Sequence, residues 1–377
     1  MAQAITLAEM GHKVTIYSEA QSNFALGLYS SLVHALHKLS IPLPNRINEG
    51  LLNLMLKPKP GMASLAASGI FQPYALVRKE DEPLNGDRER LEKVWAGLTE
   101  ISYKRFQTLL GENCGVSEIR HTEVLEKKEP LPFYADVMKD FRETTIRTND
   151  GSVKPAWEFT TLGVEMGRYL AYLHRRFAEL DGRIVIEHMT PRTLSNLPER
   201  VIFNCTGAGA RELRNDKEMR VAKGLTLLLR PARGAKAVSI GDGDFDIVSI
   251  PDARVKLGCG YTEEGTDSPE PDKKDFDMII AKASEQSLSE WARFTGLTDA
   301  LKEVRTKGAG AVTKVITGIF ATKKKGPRIE ASAENSKIIV DNYAHGYCGM
   351  TLSWGAAEEA VRVWLRADKQ GQRPAIN

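Results

Sequence analysis

The stretch that decides the fold is Ile338-Ile339-Val340-Asp341-Asn342-Tyr343-Ala344-His345-Gly346-Tyr347-Cys348-Gly349-Met350-Thr351-Leu352-Ser353-Trp354-Gly355, followed by Ala356-Ala357-Glu358-Glu359-Ala360-Val361. It reads as a buried strand, a polar turn bearing glycines, and a helix whose first turns are small or acidic. Glycines permit close backbone approach and a helix N-terminus offers unpaired N–H groups, so the pattern predicts a phosphate or cofactor cradle. A plain strand-to-helix turn has the same outline, and the rest of the chain decides between the two.

Three other stretches bear on that choice. Val201-Ile202-Phe203 is a short strand running into Asn204-Cys205-Thr206-Gly207-Ala208-Gly209-Ala210, and Arg183-Ile184-Val185-Ile186 is a second strand of the same kind. Ala66-Ala67-Ser68-Gly69-Ile70-Phe71-Gln72-Pro73-Tyr74 is a run of small residues closed by an aromatic. Met1 to Met10 has helical composition ending at Gly11, and Lys13-Val14-Thr15-Ile16-Tyr17 is a strand followed by Ser18-Glu19. That opening looks like the second half of a dinucleotide-binding βαβ unit, with Glu19 placed to accept from ribose hydroxyls. The G-x-G-x-x-G turn of such a unit would precede the helix. Either the sequence begins at an internal methionine, the favoured reading, or the protein lacks that strand and phosphate loop.

Together these stretches resemble the D-amino-acid oxidase family of FAD-dependent oxidoreductases. The resemblance implies an α/β fold: a Rossmann-like FAD-binding domain assembled from separated segments, plus a substrate domain with a mixed, mostly antiparallel sheet. It implies an FAD-binding domain over 1–80, 183–225 and 330–370, and a helical crossover and substrate domain over 81–182 and 226–329. Residues 24–62 form an insertion, read equally as a core extension or as a homodimer or partner-protein contact. The resemblance assigns cofactor contacts to Glu19, Ser68, Gly69, Thr206, Gly207, His345, Gly346, Tyr347, Gly349, Met350 and Thr351. His345 takes a hydrogen-bonding, cofactor-positioning role, and Cys348 is read as a packed thiol.

Two departures concern the substrate side. In Gly318-Ile319-Phe320-Ala321-Thr322-Lys323 the family's carboxylate-clamping arginine corresponds to Phe320, which cannot make charge-assisted bonds. Lys323 and Arg328 are the candidate replacements, each also readable as a solvated turn charge or a structural pair. In Asp246-Ile247-Val248-Ser249-Ile250-Pro251 the family's substrate-facing tyrosine corresponds to Val248. Tyr347 stands where the family has a small glycine. Phe320, Val248 and His345 are therefore expected to face the substrate pocket or flavin, with no general base assigned.

The remaining sequence sets bounds. A 377-residue chain with 42% hydrophobic residues supports a large core, and a net charge of +3 with Lys and Arg scattered, Lys323-Lys324-Lys325 being the sharpest cluster and read as a solvated turn, gives no reason to expect a nucleic-acid partner. No apolar run approaches the roughly eighteen residues of a membrane span, and cytoplasmic residence is the default expectation. Four separated cysteines show no metal spacing, so no metal is expected. Arg88 to Leu110 is an amphipathic helix, and Glu118 to Pro155, rich in charge and turn residues, reads as a crossover. Val312 to Phe320 reads as a strand. The expected function is FAD-dependent oxidation of a C–N bond of a small-molecule amine or modified amino acid to an imine, with oxygen as acceptor. The alternatives are an FAD-dependent monooxygenase using NAD(P)H and a non-catalytic flavoprotein-fold partner subunit.

Overall fold

The computed structural model describes residues 1–18, 61–73, 88–147, 151–231, 236–240, 245–250, 254–264, 268, 270–271, 273–285, 297–323 and 326–369. Glu19, Tyr74, Pro251 and nearly all of the 24–62 insertion lie outside them.

Three sheets organise these residues. Strands β1 (Thr15–Ser18) and β6 (Arg183–Ile186) pair in parallel. A second sheet has the order β13 (Arg328–Glu334), β14 (Lys337–Tyr343), β7 (Val201–Asn204), with β14 and β7 parallel. The third is nine-stranded, in the order β2 (Gly61–Met62), β12 (Lys314–Lys323), β8 (Met219–Pro231), β11 (Arg254–Glu264), β10 (Phe245–Ser249), β9 (Lys236–Ile240), β3 (Val116–Val124), β5 (Val153–Val164), β4 (Lys139–Arg147). Only the β12–β2 and β3–β9 pairings are parallel, so this sheet is mixed and mostly antiparallel.

Side-chain alternation explains how the large sheet packs. Leu225, Leu227 and Leu229 of β8, with Val255 and Leu257 of β11, bury one face against helices α7 (Lys273–Glu285) and α8 (Leu297–Lys307), through Ile279, Ala283 and Val304. The intervening residues Gly224 and Thr226 point the other way, toward the short helix α2 (Ala63–Ala66). Thr226 Oγ1 donates to Ala66 O at 2.6 Å. A second core joins α1 (Ala2–Glu9), α3 (Arg88–Gln107), α4 (Met166–Glu179) and α9 (Ser353–Lys369) to β5 around Phe71, Phe106, Phe159, Phe177 and Trp354.

The expected crossover between Glu118 and Pro155 is instead most of β3, all of β4 and the start of β5. Its charges are cross-strand rungs: Arg120 and Arg142 both bond Glu158, and Lys139 bonds Glu118 at 3.0 Å. Edge strand β4 lacks a clean apolar alternation because both its faces are largely exposed. Among the described residues no helix is long and apolar enough to cross a membrane.

Candidate active site at the ends of two parallel strands

Strands β7 and β14 run in register, with Asn204 beside Asp341, and therefore end side by side. Ligands of open α/β sheets bind beyond such carboxyl ends. Asn204 Nδ2 donates to Asp341 Oδ1 at 2.8 Å, while its Oδ1 accepts from Thr206 Oγ1 at 2.7 Å and Thr206 N at 3.3 Å. One buried amide thus fixes the Thr206–Gly207 turn onto the neighbouring strand, and Gly207 takes the left-handed conformation at φ 58°. Beyond β14 the chain reverses through Ala344 (φ 62°) and Gly346 (φ 55°). A left-handed alanine costs about 1 kcal/mol, so the surrounding contacts hold this turn against its intrinsic preference.

The helix that follows corrects one expectation. The first-turn donors of α9 are largely taken: Gly355 N donates to Ser102 Oγ at 2.8 Å, Ser353 N to Met350 O and Ala356 N to Leu352 O. A Cβ on Gly355 would stand 2.1 Å from Leu98 O. The glycine therefore serves helix–helix contact with α3, and an anion cradle at these N–H groups is not what the segment builds. Cys348 is fully buried among Leu98 and Leu352, as a packed thiol.

The small-residue segment 66–73 lies alongside. Gly69 adopts φ 83°, a Cβ there would sit 2.2 Å from Val164 O, and its own carbonyl accepts from Val164 N at 2.7 Å. Phe71 N donates to Leu162 O at 2.8 Å, so the segment is sewn to the end of β5. Thr351 Oγ1 reaches Gln72 O at 3.3 Å and joins the segment to the turn after β14. On the opposite side Gly318 of β12 packs so closely that a Cβ would meet Ala66 Cβ at 2.7 Å. Beneath it, Gln72 Nε2 and Tyr134 OH donate to the buried Glu123 carboxylate at 2.5 and 2.7 Å.

Electrostatics distinguish the ionisable groups on and beside these segments. His345 Nε2 is enclosed and has no hydrogen-bond partner among the described residues, and burial lowers the imidazole from 6.5 to about 4. The ring is neutral at physiological pH, with one nitrogen available to a ligand. Lys256, 5% exposed, donates to Ala67 O at 3.0 Å, and burial brings its ammonium down to about 8. Burial would raise the carboxyl of Asp216, but Lys323 and Tyr343 hold it below its usual range.

The candidate clamp replacements are committed elsewhere. Lys323 Nζ lies 2.7 and 2.9 Å from the Asp216 oxygens, and Tyr343 OH donates to the same carboxylate at 2.8 Å. Arg328 approaches Asp341 at 3.4 Å and Glu330 at 3.3 Å. Asp341 also receives Arg214, which spans to Glu334. Both candidates are thus structural pairs, and neither is a solvated turn charge. Val248 is fully buried against Ile70, Ile119, Ala237 and Ile250, so it enters the site's support through Ile70.

Phe320 and Tyr347, the two substituted positions, are in contact, with ring centroids 4.7 Å apart at 58°. Gly346 places a would-be Cβ 3.3 Å from Thr322 Cγ2, which seats the turn on β12. Ser68, Gly349 and Met350 lie on the same two segments. Gln72 belongs to the 66–74 stretch already singled out in the sequence, whereas Ser102, Glu123, Asp216 and Lys256 were not marked by sequence reasoning. Of these, only Lys256 carried a signal, as a cation between the apolar residues Val255 and Leu257.

The family model described as FAD dependent oxidoreductase (DAO) matches residues 2–363. A D-amino-acid oxidase of Dictyostelium discoideum is 28% identical over 71% of this chain and 73% of its own length. One from Rubrobacter xylanophilus is 26% identical over 81% of this chain and 86% of its own. Among solved structures, iminodiacetate oxidase from Chelativorans sp. BNC1 superposes with TM-score 0.62 at 13% identity, covering 97% of this chain and 92% of that one. Reduced L-alpha-glycerophosphate oxidase from Mycoplasma pneumoniae with FAD bound gives 0.57 at 11%, covering 96% and 91%. At such identities these structures establish the shared fold.

Proposed function

Because this chain belongs to the family of FAD-dependent oxidoreductases, we propose that it oxidises the C–N bond of an amine or modified amino acid to an imine, with oxygen as electron acceptor. The observation carrying the proposal is that the turn after β14 is joined to the 66–73 segment through Thr351 and Gln72 O and packs against the 206–210 turn through Ala344, and carries an enclosed His345 Nε2 with no partner among the described residues. FAD, when bound, supplies the acceptor for the hydride that leaves the substrate carbon.

The residues fit such a group at its ring end. Ser68 and Gly69 offer backbone without side-chain bulk, Thr206 and Gly207 offer a fixed turn, and His345 to Thr351 offer a neutral imidazole and further small residues. His345 positions by hydrogen bonding, since a ring this reluctant to protonate is a poor base at neutral pH. The reaction requires an apolar, correctly oriented approach of the substrate carbon more than a proton acceptor.

The substrate does not depend on a guanidinium clamp. Phe320 occupies the position concerned, while Lys323 and Arg328 are held by Asp216 and Asp341. The relatives' names specify D-amino acids, and a structural neighbour's name specifies a glycerophosphate, so the amine reading rests on this chain's own pocket and the nearer relatives.

The test is anaerobic mixing of the FAD-loaded protein with an amine panel, D-alanine and NAD(P)H. An amine is expected to bleach the flavin spectrum, with peroxide appearing on readmission of oxygen. Rapid bleaching by NAD(P)H alone would replace this reading with the monooxygenase one, and bleaching by D-alanine at ordinary concentrations would refute the clamp-free substrate.

A further inference from the structure

We propose that Phe320 and Tyr347 together form the specificity wall of this site. They would accept an amine whose amine-bearing carbon carries a hydrocarbon or aromatic group and turn away the same amine bearing an α-carboxylate. The inference rests on the amine-oxidising reading and deepens it.

The two rings come from different sheets' territory. Phe320 projects from β12, and Tyr347 from the turn after β14. Their centroid separation of 4.7 Å and 58° tilt give the offset, edge-leaning geometry that aromatic rings favour. Neither ring is fully buried, so each keeps surface for a third apolar group.

Strand register gives the pair its orientation. Phe320 shares a face of β12 with Gly318 and Thr322, and with Ala222 opposite it on β8. Gly318 on that face packs against Ala63 and Ala66, whose chain continues into the Ser68–Gly69 loop. Thr322 on the same face touches Gly346. The aromatic pair therefore stands between the two segments that would hold the cofactor ring, where a reacting carbon must come.

The chemistry of that wall is selective. A carboxylate pressed against two rings loses water without gaining a partner, which disfavours its binding. A hydrocarbon or aryl group gains buried area, and an approaching ammonium is attracted by the ring faces. On the opposite face of β12 and β8, Lys323 pairs with Asp216, and Lys223 pairs with Asp275 at 3.1 Å. Arg220 lies opposite Thr322 on the Phe320 face, and Lys256, opposite Leu228 on that face, donates to Ala67 O, so Arg220 is the cation on this face nearest Thr322 whose behaviour the experiment must resolve.

The experiment is anaerobic calorimetric titration of the purified FAD-loaded protein, its flavin reduced beforehand with dithionite so that neither ligand is oxidised, with 2-phenylethylamine and with D-phenylalanine, which differ only in the carboxylate. Wild type is expected to bind the amine at least tenfold more tightly. Phe320→Leu and Tyr347→Leu, each compared at equal flavin loading, should reduce that preference several-fold. Phe320→Arg should shift it toward D-phenylalanine. Equal or tighter binding of D-phenylalanine by wild type would overturn the proposal. So would preference unchanged in both leucine variants, carboxylate binding abolished by Arg220→Gln, or no binding of either ligand. Because binding is read without turnover, preference for the amine with no flavin bleaching would sink the oxidation reading and leave the wall standing. Bleaching chiefly by D-phenylalanine would do the reverse.

Discussion

Replacing Lys256 by methionine should stabilise the folded protein at neutral pH and remove part of its pH dependence. The ammonium ordinarily titrates near 10.5, and burial lowers it to about 8. Between those values the unfolded chain holds one more proton than the folded chain, so stability rises with pH across that window. Below pH 8 the penalty is fully present, about 3 kcal/mol at about 1.4 kcal/mol per pH unit. Methionine matches the stem and removes the charge, but leaves Ala67 O without its donor, a loss of about 1 kcal/mol. The net gain is thus about 2 kcal/mol at pH 7 and close to zero at pH 9.5, where about 2 kcal/mol of the penalty has gone. Urea denaturation of both proteins at these two pH values, followed by tryptophan fluorescence, measures the difference. If Lys256→Met is less stable than wild type at pH 7, or if both proteins respond equally to pH, the buried-cation argument is wrong.

Four further outcomes follow from the packing and titration. Gly69→Ala forces a Cβ against Val164 O and a side chain into φ 83°, and should cost roughly 3–5 kcal/mol together with most bound flavin, seen by thermal unfolding and absorbance. Ser102→Ala removes the acceptor of the buried Gly355 N–H and should cost about 1–3 kcal/mol, whereas Ser102→Thr should retain most of it. Asp216→Asn weakens the tie of both Lys323 and Tyr343 and should lower the unfolding midpoint by several degrees, with the loss largest at neutral pH, where the carboxylate is ionised. Burial lowers His121 to about 3, and His174 and His345 to about 4, from 6.5. The unfolded chain therefore takes up protons that the folded chain refuses as pH falls from 6.5 toward 4. Stability should drop there by about 1.4 kcal/mol per pH unit for each histidine, and His121→Phe should reduce that slope by about a third.

The strand–turn–helix at 338–361 was legible because its apolar run, glycines and small helical residues follow local rules, and β7, β12 and α3 were legible for the same reason. The function of its glycines was not: Gly355 looks like a ligand-facing residue until Leu98 O and Ser102 Oγ are seen against it. Strands β3 and β4 escaped because Glu118, Arg120, Lys139, Arg142 and Glu158 are cross-strand partners, and pairing between distant segments leaves no periodicity in either one. Lys323 and Arg328 had candidate roles that only their carboxylate partners, over a hundred positions away for Asp216, could decide. Phe320 and Tyr347 were each visible as departures, but their contact joins two sheets and belongs to tertiary structure alone.

In the proposed function, the carboxyl ends of β7 and β14, with the 66–73 segment, hold FAD and present it to an amine. The visible absorption spectrum of the purified protein, read before and after anaerobic addition of 2-phenylethylamine, tests this most directly. Flavin absorbance near one FAD per chain that bleaches with the amine is expected, with greatly reduced absorbance in Gly69→Ala. Full flavin absorbance that no amine bleaches, or folded protein with no flavin after incubation with FAD, would contradict it.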